Sequence, residues 1–166
     1  MRNRLYIAVL IMVAASACSS SNTCYENMDT SFRITMHKMV FDQDKERYVE
    51  QDFQTMATIR GLGIDSVLYD SVTDSRFALP LSKLDSQTVF LIDQIKTLDG
   101  DTIFVEDTLW IEHVNSLDFV SLECGCASIF DVKSVRYSVN MIDSVKLIDG
   151  HVDRTRVNNL KIFVRK

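Results

Sequence analysis

The chain is short of most features that would name a function. Of its 166 residues one is proline, Pro80, and the longest apolar run is Leu5 to Ala15. A membrane-spanning helix needs about 20 such residues, so none is expected. No low-complexity linker and no regular repeat divides the sequence, which excludes a solenoid and leaves a single domain. Positive charge is in deficit too: 18 Lys and Arg stand against 23 Asp and Glu, a formal charge of −5. A nucleic-acid partner, which would require a basic face, is excluded on that balance.

Catalytic and cofactor signatures are also missing. His37, His113 and His151 stand far from one another and from any cysteine at ligand spacing, so zinc has no support. Asp42-Gln43-Asp44-Lys45-Glu46 offers oxygens at the first, third and fifth places of a calcium loop. Arg47 then occupies the place of the required glycine and Phe53 that of the closing glutamate, and a solvated charged loop is the simpler account. No Gly-x-Ser-x-Gly elbow accompanies the available serines, and Gly61-Leu62-Gly63 meets Ser66 where a dinucleotide loop needs its third glycine. No catalytic, cofactor-binding or metal residue is expected.

What is present begins at the N-terminus. Arg2 and Arg4 precede the apolar run, and Ala15-Ser16-Ala17 places small residues in front of Cys18. A basic region, a short apolar core and small residues at the cut make a secretory signal. The cysteine directly after them resembles a bacterial lipobox, in which the thiol is acylated and becomes the first residue of the mature chain. The expected organisation is a leader over 1–17, a lipidated tether over 18–23 and one β-rich domain over 24–166. No acidic residue follows Cys18 before Glu26, which points to the outer membrane and its periplasmic face. Without the two arginines of the leader, 149 residues carry 16 basic and 23 acidic groups, a charge of −7. Anionic lipid then offers no electrostatic hold, and attachment falls to acyl chains on Cys18. The five residues Ser19 to Thr23 let Cys24 stand at most about 20 Å from that anchor.

With Cys18 lipidated, Cys24, Cys124 and Cys126 remain, an odd number for an oxidising compartment. Cys24 can pair with Cys124 or Cys126 across a long loop. Alternatively, Cys124-Gly125-Cys126 forms a strained redox dithiol. Thiol oxidoreductases present such pairs at a helix N-terminus, whereas the flanks here read as strands.

The body alternates apolar and polar residues. Phe32, Ile34 and Met36 share one face of Ser31 to Lys38, the pattern of a half-buried antiparallel strand. Phe53 to Ile59, Ser66 to Tyr69, Leu117 to Leu122, Ser128 to Val132, Ser134 to Val139, Ile142 to Ile148 and Leu160 to Val164 read similarly. Asp42 to Gln54 is unpatterned and reads as a long loop or a short helix. Pro80 marks an edge or a strand end. About nine short strands with no long helix predict an antiparallel β-sandwich, with a small β-barrel as the alternative.

The strongest local pattern is Thr88 to Ile111, two β-branched runs around Leu98-Asp99-Gly100-Asp101. A two-residue turn would set Ile92 opposite Asp107 and leave neither face apolar. A three-residue loop, Asp99 to Asp101, sets Val89, Leu91 and Ile95 opposite Ile111, Leu109 and Val105, and that register is the expected one. It places Asp93 opposite Asp107. Trp110 and Phe104 on alternate positions would pack, or line a ligand groove.

The order lipobox, Thr23-Cys24, Arg33-Ile34-Thr35, Leu79-Pro80-Leu81, Glu123-Cys124-Gly125, Asn140-Met141-Ile142-Asp143-Ser144 and Asn159-Leu160-Lys161-Ile162 resembles a family of small uncharacterised lipoproteins of Bacteroidetes, over nearly the whole mature chain. The resemblance implies a compartment and no activity. Its cysteine pattern matches Cys24 and Cys124 and implies that they pair, with Cys126 as the leftover thiol. The functional expectation is a lipid-anchored, non-enzymatic structural or binding module for an unidentified envelope protein or ligand. The alternatives are a thiol-redox protein using Cys124 and Cys126, and a small barrel carrying an apolar ligand.

Overall fold

The computed structural model describes residues 24–63, 67–98 and 101–165. Eleven strands form in chain order: β1 (Phe32–Asp42), β2 (Arg47–Asp52), β3 (Thr55–Gly61), β4 (Val67–Asp74), β5 (Arg76–Leu79), β6 (Gln87–Leu98), β7 (Asp101–Ser121), β8 (Gly125–Tyr137), β9 (Ile142–Leu147), β10 (His151–Val152) and β11 (Leu160–Val164). One sheet runs β2-β1-β11-β9, with β5 also on β1, and the other runs β10-β8-β7-β6-β3-β4. There is no helix among the described residues, and the two sheets do not close into a barrel. The fold is all-β and sandwich-like, and the barrel alternative is set aside.

Period-two burial builds the core. Phe32, Ile34 and Met36 of β1, with Leu160 and Ile162 of β11, meet Ile59, Phe90, Ile92, Leu109, Ile111 and Phe130 from the second sheet. Each of these is essentially solvent-free. The connection from β2 to β3 and the corner at Ser75 between β4 and β5 carry the chain from one sheet to the other.

Three features depart from the sequence reading. Asp42 to Gln54 holds a hairpin turn and β2, paired to β1 from His37↔Asp52 to Asp42↔Arg47. This edge strand buries neither face, so backbone pairing alone forms it and no apolar alternation reveals it. Segments that read as separate short strands fuse into β7 and β8 of 21 and 13 residues, continuous through a register shift at Glu112/His113. No glycine or proline interrupts β7. Finally, β1 and β11 pair in parallel, from Ile34↔Leu160 to His37↔Phe163, whereas every other pair is antiparallel as expected. The whole of the second sheet lies between them in sequence and supplies the long connection a parallel pair requires.

The expected β6–β7 register is wrong by one residue. Leu98 pairs with Asp101, and Val89 faces Trp110 while Asp93 faces Glu106; Asp99 and Gly100 lie outside the described residues. Phe90, Ile92 and Gln94 therefore point inward opposite Leu109, Asp107 and Val105. The apolar face chosen from sequence, Val89, Leu91 and Ile95, points away from the core. Asp107 misled that choice: its carboxylate is fully buried but accepts four hydrogen bonds. Ser138 Oγ (2.8 Å) and Asn140 N (2.9 Å) donate to Oδ1, and Met141 N (2.7 Å) and Ile142 N (3.0 Å) donate to Oδ2. A buried charge so satisfied is tolerated, and it pins the crossing from β8 to β9.

A candidate polar cleft on the split edge of β1

The outward positions of β1 are Arg33, Thr35 and His37, alternating with the buried Phe32, Ile34 and Met36. One edge of β1 is shared: β5 covers Phe32 to Thr35 and β2 covers His37 to Asp42. At the junction, Met36 N–H donates to the Ser75 carbonyl (2.7 Å) and the Met36 carbonyl accepts from Phe53 N–H (2.9 Å). Register then places Thr35 between Arg76 of β5 and Lys161 of β11, and His37 between Asp52 of β2 and Phe163 of β11. The loop before β11 closes the site. Asn159 holds that loop, its side chain accepting from Arg33 N–H (2.9 Å) and donating to the carbonyls of Asp149 (3.1 Å) and His151 (3.2 Å).

The result is a cleft of about 630 Å³, within the usual range for small-ligand sites. Arg33, Arg76, Arg156 and Lys161 line it together with Asp52 and Asp74, and Asp29 and Glu50 pair with its cations from the rim. Arg156 adopts φ 60°, a left-handed conformation uncommon for a residue with a Cβ. It donates to Asn27 Oδ1 (3.2 Å) and lies 3.9 Å from Asp29 Oδ2, which also pairs with Arg33 at 2.5 Å. A hydrogen bond from the Ser31 hydroxyl, aided by both arginines, holds the Asp29 carboxyl below the ordinary carboxylate value against the opposing effect of burial.

The floor is a linked polar network. The Asn158 amide donates to Thr35 Oγ1 (3.0 Å), which lies 2.8 Å from His37 Nε2. His37 is buried, and its Nδ1 sits 3.0 Å from Glu50 Oε1 and 3.4 Å from Asp52 Oδ1 without hydrogen-bond alignment to either. Glu50 also pairs with Lys161, and Arg76 reaches Asp52 at 3.5 Å. Three buried polar atoms of this cleft, Arg33 Nε, His37 Nδ1 and Asn158 Oδ1, have no hydrogen-bond partner. Such atoms are rare in native proteins, and these three belong to residues that line one concavity.

The residues singled out from sequence fall mostly elsewhere. Cys18 lies outside the described residues. The structure links Cys24 to Cys124, Cα atoms 4.8 Å apart, and leaves Cys126 free and exposed. A Cys124–Cys126 dithiol therefore has no second sulfur available in this state. His113 is in the core, 2.8 Å from Thr88 Oγ1 and 2.7 Å from Asn115 Oδ1. His151 is half-exposed and lies 2.8 Å from Asp131. Asp42 caps its own turn, accepting from the backbone N–H of Asp44 and Lys45. Trp110 faces outward with the Arg136 guanidinium 5.9 Å from its ring centre, and Phe104 is exposed. Among the described residues no group of three or more His, Cys, Asp or Glu is placed to hold a metal ion.

Of the cleft, the sequence offers His37 as an isolated histidine and Arg33, Thr35 and Lys161 only within the motifs of the family resemblance. Arg33 and Thr35 were readable as its neighbours on the polar face of β1. Arg76 and Lys161 reach them through strand pairing, and Asn158 from the loop before β11, none of which a local pattern encodes.

No curated protein and no solved structure matches the chain. A family model does: residues 56–164, the span from β3 through β11, match the family of unknown function DUF6452, and the chain belongs to that family.

Proposed function

We propose that this protein is a small Bacteroidetes-type lipoprotein, anchored through Cys18 at the periplasmic face of the outer membrane, which binds without catalysis a polar ligand bearing an oxyacid group. The anchor rests on Arg2, Arg4, the apolar run Leu5 to Ala15 and the small residues before Cys18. The ligand reading rests on one observation: Arg33, Arg76, Arg156 and Lys161 line a single cleft together with His37 and Asn158, and Arg33, His37 and Asn158 each carry a buried polar atom without a hydrogen-bond partner. A carboxylate or phosphate would pair with the guanidinium groups that line the cleft, and neighbouring hydroxyls of the ligand would meet Asn158 and Asp52. Ion pairs around the cleft hold the cations in place and disfavour apolar occupants.

Amide chemical shifts of the mature chain, titrated separately with inorganic phosphate and with glucuronate, test the ligand. Saturable shifts at Thr35, His37, Ala78 and Lys161, weakened at least tenfold by Arg33→Gln, are expected. Shifts scattered over the surface, or unchanged by Arg33→Gln, would overturn the assignment.

A further inference from the structure

Beyond residue 115 the β7–β8 hairpin leaves the sandwich. β6 pairs with β7 only as far as Glu112, and Ser116 to Ser121 pair with β8 alone, from Ser116↔Ile129 to Ser121↔Gly125. The chain reverses through Leu122 to Cys124, and Gly125 at φ 72° provides the left-handed turn. On this ribbon Leu117 and Phe119 lie on one face with Ser128 and Cys126, continuous with the inward face of His113 and Phe130. In the sandwich that face is buried, but here no described residue covers it: Leu117 is 72% exposed, Phe119 61% and Leu122, in the turn, 91%.

The disulfide brings Cys24, the first described residue, to this same tip. Cys24 is bonded to Cys124, next to an 89% exposed Tyr25. The segment that follows returns along the hairpin to the body, with Asn27 donating to the Arg154 carbonyl (2.9 Å) and Arg154 pairing with Asp118 (3.3 Å). Resting on the lipid-anchor reading above, five residues at up to ~3.6 Å each place the acylated Cys18 within about 20 Å of the tip. We propose that the hairpin tip is a membrane-docking element: Leu117, Phe119 and Leu122 enter the interfacial layer of the bilayer that holds the lipid, with Tyr25 at headgroup level. A tyrosine with an exposed ring suits that level, and aliphatic side chains suit the layer below. Glu123 and Glu26 flank the tip, so docking draws on apolar burial and effective concentration from the tether rather than on attraction to anionic lipid. The sandwich then stands on its hairpin. Phe104, at the opposite end of β7, lies about 50 Å away along the strand and faces the periplasm.

Cys126, free and on the docking face, is the natural reporter. The full chain is expressed in its lipidated form and labelled at Cys126 with an environment-sensitive fluorophore. A Phe104→Cys/Cys126→Ser variant is labelled as the control, and both are placed in phosphatidylcholine vesicles carrying lipid-borne nitroxide quencher. The Cys126 label is expected to shift to the blue and be quenched at least threefold more than the label at position 104. Leu117→Ser/Leu122→Ser is expected to abolish that difference while the protein stays on the vesicles, and added salt to leave it unchanged. Equal, water-like emission from both labels on vesicle-bound protein would overturn docking and leave the anchor intact. Recovery of the wild-type chain in the soluble fraction of cells, indistinguishable from Cys18→Ala, would overturn the anchor and docking together.

Discussion

Asp107 offers the sharpest test of how this fold is held. Replacing it with asparagine keeps the shape and removes the charge and one acceptor oxygen. The amide nitrogen must occupy the site of Oδ1 or Oδ2. Facing Oδ2 it would confront two backbone donors, Met141 N and Ile142 N. Facing Oδ1 it meets Asn140 N and the Ser138 hydroxyl, which can turn to accept. The second orientation is preferred and leaves the part-buried Asn140 N–H without its acceptor, at about 1–3 kcal/mol. The two bonds kept at the other oxygen lose their charge assistance, at about 1 kcal/mol each. The sum is about 4 kcal/mol, a large share of the 5–15 kcal/mol typical of a whole domain. Asp107→Ala strands three backbone donors and is expected to cost about 6 kcal/mol or to prevent folding. Asp93→Asn is the control, because its outward, partly exposed carboxylate lies 3.3 Å from Arg60 and beside the Glu106 carboxylate, with no buried donors to strand; it should cost about 1 kcal/mol or less. Urea unfolding with a shared m-value reads these differences directly. A cost below about 1 kcal/mol for Asp107→Asn, or equal costs at positions 93 and 107, would refute both the register and the four-donor account.

Two other outcomes are expected. Non-reducing peptide mapping should recover Cys24 joined to Cys124 with Cys126 open to alkylation, and Cys24→Ser/Cys126→Ser should lose up to ~4.7 kcal/mol, the chain-entropy value for a loop of about 100 residues; an unchanged urea midpoint in the variant would contradict this. The bond between His151 and Asp131 raises the His151 pKa and lowers that of Asp131, each from its ordinary value. The histidine contribution is complete below its unfolded value of about 6.5 and fades as pH rises through the folded value, while the aspartate contribution is present above about 3.9 and fades as pH falls through its own folded value. The stability gap between wild type and His151→Gln should therefore be widest near pH 5 to 6, roughly between those two values, and shrink towards alkaline pH. A gap that widens above about pH 7 would reverse the assigned sign.

Alternation of apolar and polar residues was enough to define the fold class. Phe32, Ile34 and Met36, and later Leu160, Ile162 and Val164, fall every second position, and side chains on a strand point alternately to either face whatever the rest of the chain does. Pro80 marked the end of β5 for an equally local reason, its missing N–H. Tertiary structure decided the rest. The β6–β7 register turned on whether Asp107 could be buried, and its four donors come from residues 138–142, more than thirty positions away. β2 formed because β1 offered an edge, with no burial pattern of its own. The cleft exists because β5, β2 and β11, drawn from three distant parts of the chain, meet the polar face of one strand. A strand's polar positions are visible in sequence, but their neighbours depend on pairing, and pairing is a property of the folded whole.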